Sequence, residues 1–208
     1  RQGIDIVFAV DISKSMLAED VAPNRLEKTK QIVSQIINQL GNDRVGIVGY
    51  AGSAYPVLPM TTDYSIAKMY LQSMNTNMVS SQGTAFNDAI QLAADFFDVK
   101  DTSKLIILIS DGEDHGEGAE DAIEMAKEKG VRILTIGVGT EKGGPIPLRD
   151  DKGNIASYKK DQEGQTVTTK LYPEVLKNIA DKTKSKYIVG TSTKEVVEEL
   201  KKSLDKIE

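Results

Sequence analysis

The chain contains no cysteine, which excludes disulfides, thiolate metal sites and cysteine nucleophiles but assigns no compartment, since many exported proteins also lack cysteine. It has one histidine, His115, so no second imidazole can complete a zinc pair or orient a catalytic base. No stretch approaches the roughly 20 apolar residues that a membrane-spanning helix needs. A phosphate-binding G-x-x-x-x-G-K-[ST] loop is missing, as is a G-x-G-x-x-G after the first strand; Gly137 and Gly139 follow a strand but open no helix. Nor is there an excess of positive charge: the formal net charge is -5, with the lysines dispersed, so nucleic acid is not an expected partner.

What is present is an ordinary globular composition, 39% hydrophobic and 27% charged over 208 residues, enough for one well-buried domain spanning 1–208. The chain opens at Arg1 rather than at a methionine, which reads as a fragment of a longer protein.

Apolar runs and amphipathic stretches alternate. Ile4–Val10 (IDIVFAV) has the composition of a strand buried on both faces, and Lys104–Ile109 (KLIILI) is the most apolar strand of all. Strands are also expected at Arg44–Tyr50, at Ala54–Leu58 with Pro56 marking an edge, at Val131–Val138 and at Lys186–Val189. Helices are expected over Asn24–Leu40, with Asn24 and Glu27 as a capping box, near Tyr64–Met74, from Thr84 onward, and over Ala119–Lys129, Pro173–Lys182 and the C-terminal stretch opened by Ser192 and Glu195. The expected fold is therefore α/β: a doubly wound, mostly parallel six-stranded, Rossmann-like sheet with helices on both faces and one antiparallel edge strand. Residues 141–170, rich in Gly, Asp and Lys, break the rhythm and read as a β-hairpin insertion.

In such a sheet ligands bind beyond the carboxyl ends of the strands, where strand order reverses. Three polar segments begin there: Asp11-Ile-Ser13-Lys-Ser15 after the first strand, Gly83-Thr84 before a helix, and Ser110-Asp111-Gly112 after the most apolar strand. Together they offer two carboxylates and three hydroxyls, hard oxygen donors that suit Mg2+, Mn2+ or Ca2+ rather than Zn2+ or Cu2+. The alternation in D-x-S-x-S turns Asp11, Ser13 and Ser15 toward one point. Taken singly, Asp11 is a turn residue, Thr84 a helix N-cap, and Ser110 and Gly112 turn chemistry; the metal reading rests on their coincidence. Glu113, Asp114 and His115 are expected on a solvated rim, and Tyr50, Tyr55 and Met60 in edge-strand core packing.

These residues resemble the metal-ion-dependent adhesion site (MIDAS) of von Willebrand factor type A domains: D-x-S-x-S at Asp11, Ser13 and Ser15, a threonine at Thr84, and an aspartate at Asp111 in an S-D-G context. The resemblance covers nearly the whole chain. It implies a non-enzymatic, metal-dependent docking domain in which Ser13 and Ser15 coordinate directly, Thr84 joins or leaves the shell, Asp11 and Asp111 act directly or through water, and a partner's Glu or Asp carboxylate takes the open position. The S-D-G-E-D-H turn and the insertion are similar to the membrane-anchored bacterial proteins of the Bacteroides aerotolerance (Bat) group. That likeness implies transmembrane segments outside this chain, a periplasmic position at the inner membrane, and partners among other von Willebrand A proteins in a stress-tolerance or assembly complex. Two alternatives accompany it. A haloacid-dehalogenase-like phosphatase also places aspartates after two strands around Mg2+, but it needs a second acid two residues after the first, where this chain has Ser13. An extracellular adhesin would share the docking chemistry.

Overall fold

The computed structural model describes residues 2–79, 83–114 and 118–207. Its organising strand is β1, Asp5–Asp11, buried along its whole length. Successive side chains of a strand point to opposite faces, and here both faces are covered. Ile6, Phe8 and Val10 join one apolar core with Ile32, Leu71 and Leu200, while Val7 and Ala9 join a second with Phe86, Ile123 and Ile179. A continuous apolar run rather than an alternating one is what a two-sided core demands.

The remaining main elements follow in the expected order. Helix α1 covers Arg25–Asn38, β2 Arg44–Tyr50, β3 Ala54–Thr61, α2 Tyr64–Ser73, α3 Phe86–Asp95, β4 Lys104–Ser110, α4 Glu120–Glu128 and β5 Val131–Gly137. The insertion contributes β6 (Gly144–Pro145), β7 (Pro147–Arg149), β8 (Ile155–Tyr158) and β9 (Thr168–Thr169). Helix α5 (Pro173–Lys182), β10 (Tyr187–Val189) and α6 (Thr193–Asp205) close the chain.

The six-stranded sheet has the order β10-β5-β4-β1-β2-β3. All neighbours are parallel except β2 and β3, so the expected doubly wound sheet with one antiparallel edge is present. The chain winds outward from β1 through β2 in one direction and through β4, β5 and β10 in the other. The order therefore reverses between β1 and β4, which pair in register from Asp5 opposite Lys104 to Val10 opposite Ile109. That reversal opens the crevice in which such folds bind ligands.

Local signals account for several boundaries. The Asn24 side chain accepts the Glu27 N–H at 2.7 Å at the start of α1, and the Ser192 hydroxyl accepts that of Glu195 at 3.3 Å at the start of α6, as capping residues do. Three boundaries depart from the sequence expectation. Strand β3 runs on to Thr61 instead of stopping at Leu58, because its irregular antiparallel pairing with β2 extends to Val45 opposite Thr61. Helix α3 begins at Phe86, not at Thr84: Ala85 keeps a non-helical backbone, φ -103° and ψ 77°, with its N–H on the Ala51 carbonyl at 2.7 Å. The insertion is not one hairpin but two small antiparallel ladders, β6 with β9 and β7 with β8, joined by a bridge between Lys160 and Thr166.

Candidate functional site

The sheet brings the site together from its ends. Because β1 lies between β2 and β4, Asp11 sits opposite Tyr50 while Ser110 and Asp111 leave β4 one step beyond the Val10–Ile109 pair. The Ala85–Ala51 bond anchors the segment carrying Thr84 one residue past Tyr50, and the Phe86 and Tyr50 rings pack with centroids 6.2 Å apart. Asp11, Ser13, Ser15, Thr84 and Asp111 are all buried, at the same end of the sheet, rather than displayed on the surface.

Four of the five are joined by hydrogen bonds. The Ser13 and Ser15 hydroxyls lie 3.1 Å apart, and Ser15 Oγ donates to Asp111 Oδ2 at 2.5 Å. Asp11 accepts the Ser13 N–H at 2.9 Å through Oδ1 and the Ser110 hydroxyl at 2.7 Å through Oδ2. Asp111 Oδ1 accepts the Glu113 N–H at 3.0 Å. Ser110 has a second function, accepting the Gly112 N–H at 2.9 Å, so it both shapes the turn and orients Asp11.

Thr84 is the exception. Its hydroxyl oxygen is buried and has no hydrogen-bond partner among the described residues. Burying a hydroxyl without a partner costs on the order of 1–3 kcal/mol in proteins, and the reading of Thr84 as a helix cap does not account for it, since Ala85 occupies the N-cap position. Asp11 shows a second imbalance. Burial, then repulsion from Asp111, pushes its carboxyl up to about 7 against the opposing bonds from Ser13 and Ser110. An orphaned hydroxyl beside two crowded carboxylates is what a hard divalent cation would relieve, so the residues fit such an ion.

Sequence reasoning missed the site's own cation. Arg25, the first residue of α1, is fully buried and donates through Nη1 to Asp111 Oδ2 at 3.0 Å. Its Nε and Nη2 grip Asp20 Oδ1 and Oδ2, each at 2.8 Å. Burial opposes the guanidinium charge, but the Asp20 bonds and the nearby Asp111 outweigh it and raise its pKa further. A signal was available: a helix N-terminus disfavours positive charge, so an arginine at the first helical position invites the question of which anion holds it.

The surroundings of the crevice divide as follows. Tyr50 is wholly buried, with Tyr55 and Met60 partly buried against the core. Burial, followed by the Asp11 charge, raises the Tyr50 phenol well above its ordinary pKa. Asp114 is exposed and Glu113 half-buried, while His115 lies outside the described residues. Gly112 is needed where it stands: its φ is +77°, and a Cβ there would lie 1.9 Å from the Tyr172 carbonyl oxygen. On the Lys14 side, a cleft of about 560 Å³ runs between α1, the turn after α2 and the insertion. Lys14 Nζ donates across it to Thr76 Oγ1 at 3.1 Å and Asn77 Oδ1 at 2.6 Å; Lys14–Leu17 form a 3-10 turn with Ser13 at its N-cap, so the turn, and not the expected strand-like alternation, sets where Lys14 and Ser15 point.

Fold and site together define a doubly wound α/β domain whose oxygen-lined crevice lies at the switch point of the sheet. The model of the von Willebrand factor type A domain matches residues 5–203, and the chain belongs to that family. Two solved structures share its fold over nearly the whole length. An aerotolerance-related membrane protein from Bacteroides fragilis is 35% identical, with a TM-score of 0.91 over 98% of this chain and 99% of that one. The BatB protein from Bacteroides thetaiotaomicron is 39% identical, with a TM-score of 0.88 over 97% and 99%. A UPF0353 protein from Mycolicibacterium paratuberculosis is 34% identical over 159 residues, covering 71% of this chain and 48% of its own length. The chain thus spans about half the length of the curated relatives it matches.

Proposed function

We propose that this domain binds a divalent cation, Mg2+ or its near relatives Mn2+ and Ca2+, through Asp11, Ser13, Ser15, Thr84 and Asp111, and docks through it onto a Glu or Asp carboxylate of a protein partner. The observation that carries the reading is the buried Thr84 hydroxyl, without a partner among the described residues, at the same end of the sheet as two buried carboxylates. A bound cation supplies an electron-poor centre that accepts an outside carboxylate. The protein's own residues prepare it: Ser110 fixes the Asp11 carboxylate, Ser15 and Arg25 hold Asp111, and the hydroxyls contribute donors without adding charge. Two anionic groups and one guanidinium leave the cation incompletely neutralised, which favours an anionic outside ligand. The domain acts as a binding module rather than an enzyme, and Ser13 stands where the phosphatase alternative requires an acid.

The Bat-group likeness supports a place for the domain in a membrane-anchored bacterial complex, with other von Willebrand A proteins as partners, on the periplasmic side of an inner membrane. Among the described residues no helix is long and apolar enough to cross a membrane. The whole chain reads as one domain, with 141–170 as an insertion within it. Isothermal titration with MgCl2, MnCl2, CaCl2 and ZnCl2, on wild type and on Asp11→Ala, tests the cation: binding in the wild type that survives the substitution undiminished would sink the site assignment. Affinity capture from the native membrane with and without EDTA tests the docking role, and partners retained equally in both would remove the cation from it.

A further inference from the structure

Arg25 does more than balance Asp111. A guanidinium carries five N–H donors in a rigid plane, and here every one has an acceptor. Nε and one hydrogen of Nη2 go to Asp20, and the other hydrogen of Nη2 goes to the Thr169 carbonyl at 2.9 Å. Nη1 serves Asp111 Oδ2 at 3.0 Å and Thr169 Oγ1 at 3.0 Å. Asp20 Oδ2 in turn accepts the N–H and the hydroxyl of Thr140, both at 2.9 Å. Thr140 and Thr169 are the two roots of the insertion. Leu171 N–H bonds the Thr140 carbonyl at 3.0 Å, Gly143 N–H bonds its hydroxyl at 2.9 Å, and Thr169 pairs with Gly144 where β6 meets β9. One planar group thus holds the aspartate of the crevice and the Thr169 end of the segment directly, and reaches its Thr140 end through Asp20.

We infer that Arg25 is a positioning residue that couples the crevice to the insertion, so that cation occupancy and the hold on the insertion's base oppose one another. The inference rests on the cation reading above. A dication beside Asp111 draws that carboxylate toward itself and repels the guanidinium, weakening the grip of Arg25 on Thr169 and Asp20. Coupling is reciprocal. A partner that presses the insertion onto Arg25 lowers cation affinity, and one that lifts it away raises affinity by the same factor with which the cation loosens the base. Charge alone does not suffice, because the device needs the fork geometry. Lysine keeps the charge but concentrates three donors on one atom and cannot span Asp20, Asp111 and Thr169 at once.

The test is hydrogen–deuterium exchange on the 208-residue chain in EDTA and in saturating MgCl2, with calorimetry on the same samples to establish that magnesium binds. In the wild type, magnesium is expected to speed exchange fivefold or more at the amides of Thr140, Gly143 and Leu171, with little change at the core amides of β4. In Arg25→Lys the magnesium effect at those amides is expected to shrink below twofold, and a full effect in a folded variant would overturn the coupling. If Arg25→Lys does not fold, Asp20→Asn carries the same comparison, because it cuts the link to Thr140 without touching Asp111. Magnesium bound in the wild type with unchanged or slower exchange at the insertion's base refutes the inference and leaves the cation reading standing. No magnesium binding refutes both.

Discussion

Asp11 gives the crevice a pH dependence whose sign distinguishes a cation site from a structural carboxylate cluster. Its carboxyl is raised from an ordinary 3.8 to about 7, first by burial and then by Asp111. In the cation-free protein the folded state therefore holds a proton that the unfolded chain releases near 3.8. A folded-state pKa above the unfolded one contributes stability that is fully present below 3.8 and is lost as pH rises toward 7. At about 1.4 kcal/mol per pH unit, the loss across that interval is on the order of 4 kcal/mol, an upper limit because the opposing Asp111 charge relaxes with its surroundings. In EDTA, the Asp11→Asn variant, which cannot ionise, should gain stability relative to wild type as pH goes from 5 to 8, read by urea unfolding at each pH. Magnesium competes with that proton. Its affinity for the wild type should rise close to tenfold per pH unit below about 7 and flatten above it, since one proton is displaced per cation. Titration calorimetry at pH 5.5, 6.5 and 8 in buffers of different ionisation enthalpy reads both the affinity and the proton released. A magnesium affinity that is flat from pH 5.5 to 8, with no proton release, refutes the argument that the cation and the Asp11 proton share one place.

The Thr84 hydroxyl makes no hydrogen bond among the described residues, so Thr84→Val, which keeps the shape and removes the orphan, should leave the EDTA-treated protein as stable as wild type or more so by about 1 kcal/mol, while weakening magnesium binding at least tenfold. A loss of stability without a loss of affinity would assign Thr84 to packing. Gly112→Ala places a methyl 1.9 Å from the Tyr172 oxygen at a φ of +77°, and should cost roughly 2–4 kcal/mol in urea unfolding; a cost below 1 kcal/mol would mean that the turn tolerates a different path. Phe8, fully buried on the α1 side of β1, should cost about 3–5 kcal/mol as Phe8→Ala without altering the coupling between magnesium and the insertion. A Ser157→Cys substitution on exposed β8, in the complete parent protein with any other cysteine replaced by serine, should react in intact cells with a maleimide that crosses an outer but not an inner membrane; labelling only after lysis would contradict a periplasmic domain.

The fold was legible because its central strands have no polar face to disguise them. Lys104–Ile109 and Ile4–Val10 are apolar on both sides, and a parallel sheet under two helical layers is the arrangement that buries both. The capping pairs Asn24–Glu27 and Ser192–Glu195 announced themselves by spacing, and both are made. What escaped lay where tertiary contacts override local preference. Thr84 followed by an apolar periodic run looks like a cap and helix start, yet Ala85, tied to Ala51 34 positions earlier, keeps a non-helical backbone and the helix starts at Phe86. The insertion's alternating pieces suggested one hairpin, yet Thr168 and Thr169 pair back to the base at β6 while β7 and β8 pair with each other, a nesting that residue alternation does not encode.

The crevice shows the same division more sharply. Five oxygen donors could be read from residue type and from where the strands end, because the switch point of a doubly wound sheet is a consequence of topology. The charge balance could not be read, since Arg25 is 86 positions from Asp111 and 144 from Thr169, and nothing in its neighbourhood of the sequence points to either. That balance decides what the five donors can do. With Asp111 already holding a guanidinium, the crevice presents one carboxylate, Asp11, whose charge has no basic side chain bonded to it among the described residues. Under the proposed reading, such a site takes up a cation that it neutralises only in part, which leaves positive charge for an acidic partner. The arginine that sets this condition also bonds Thr169 at the root of the insertion, which is why the proposed ion and the segment above it are tested through the same side chain.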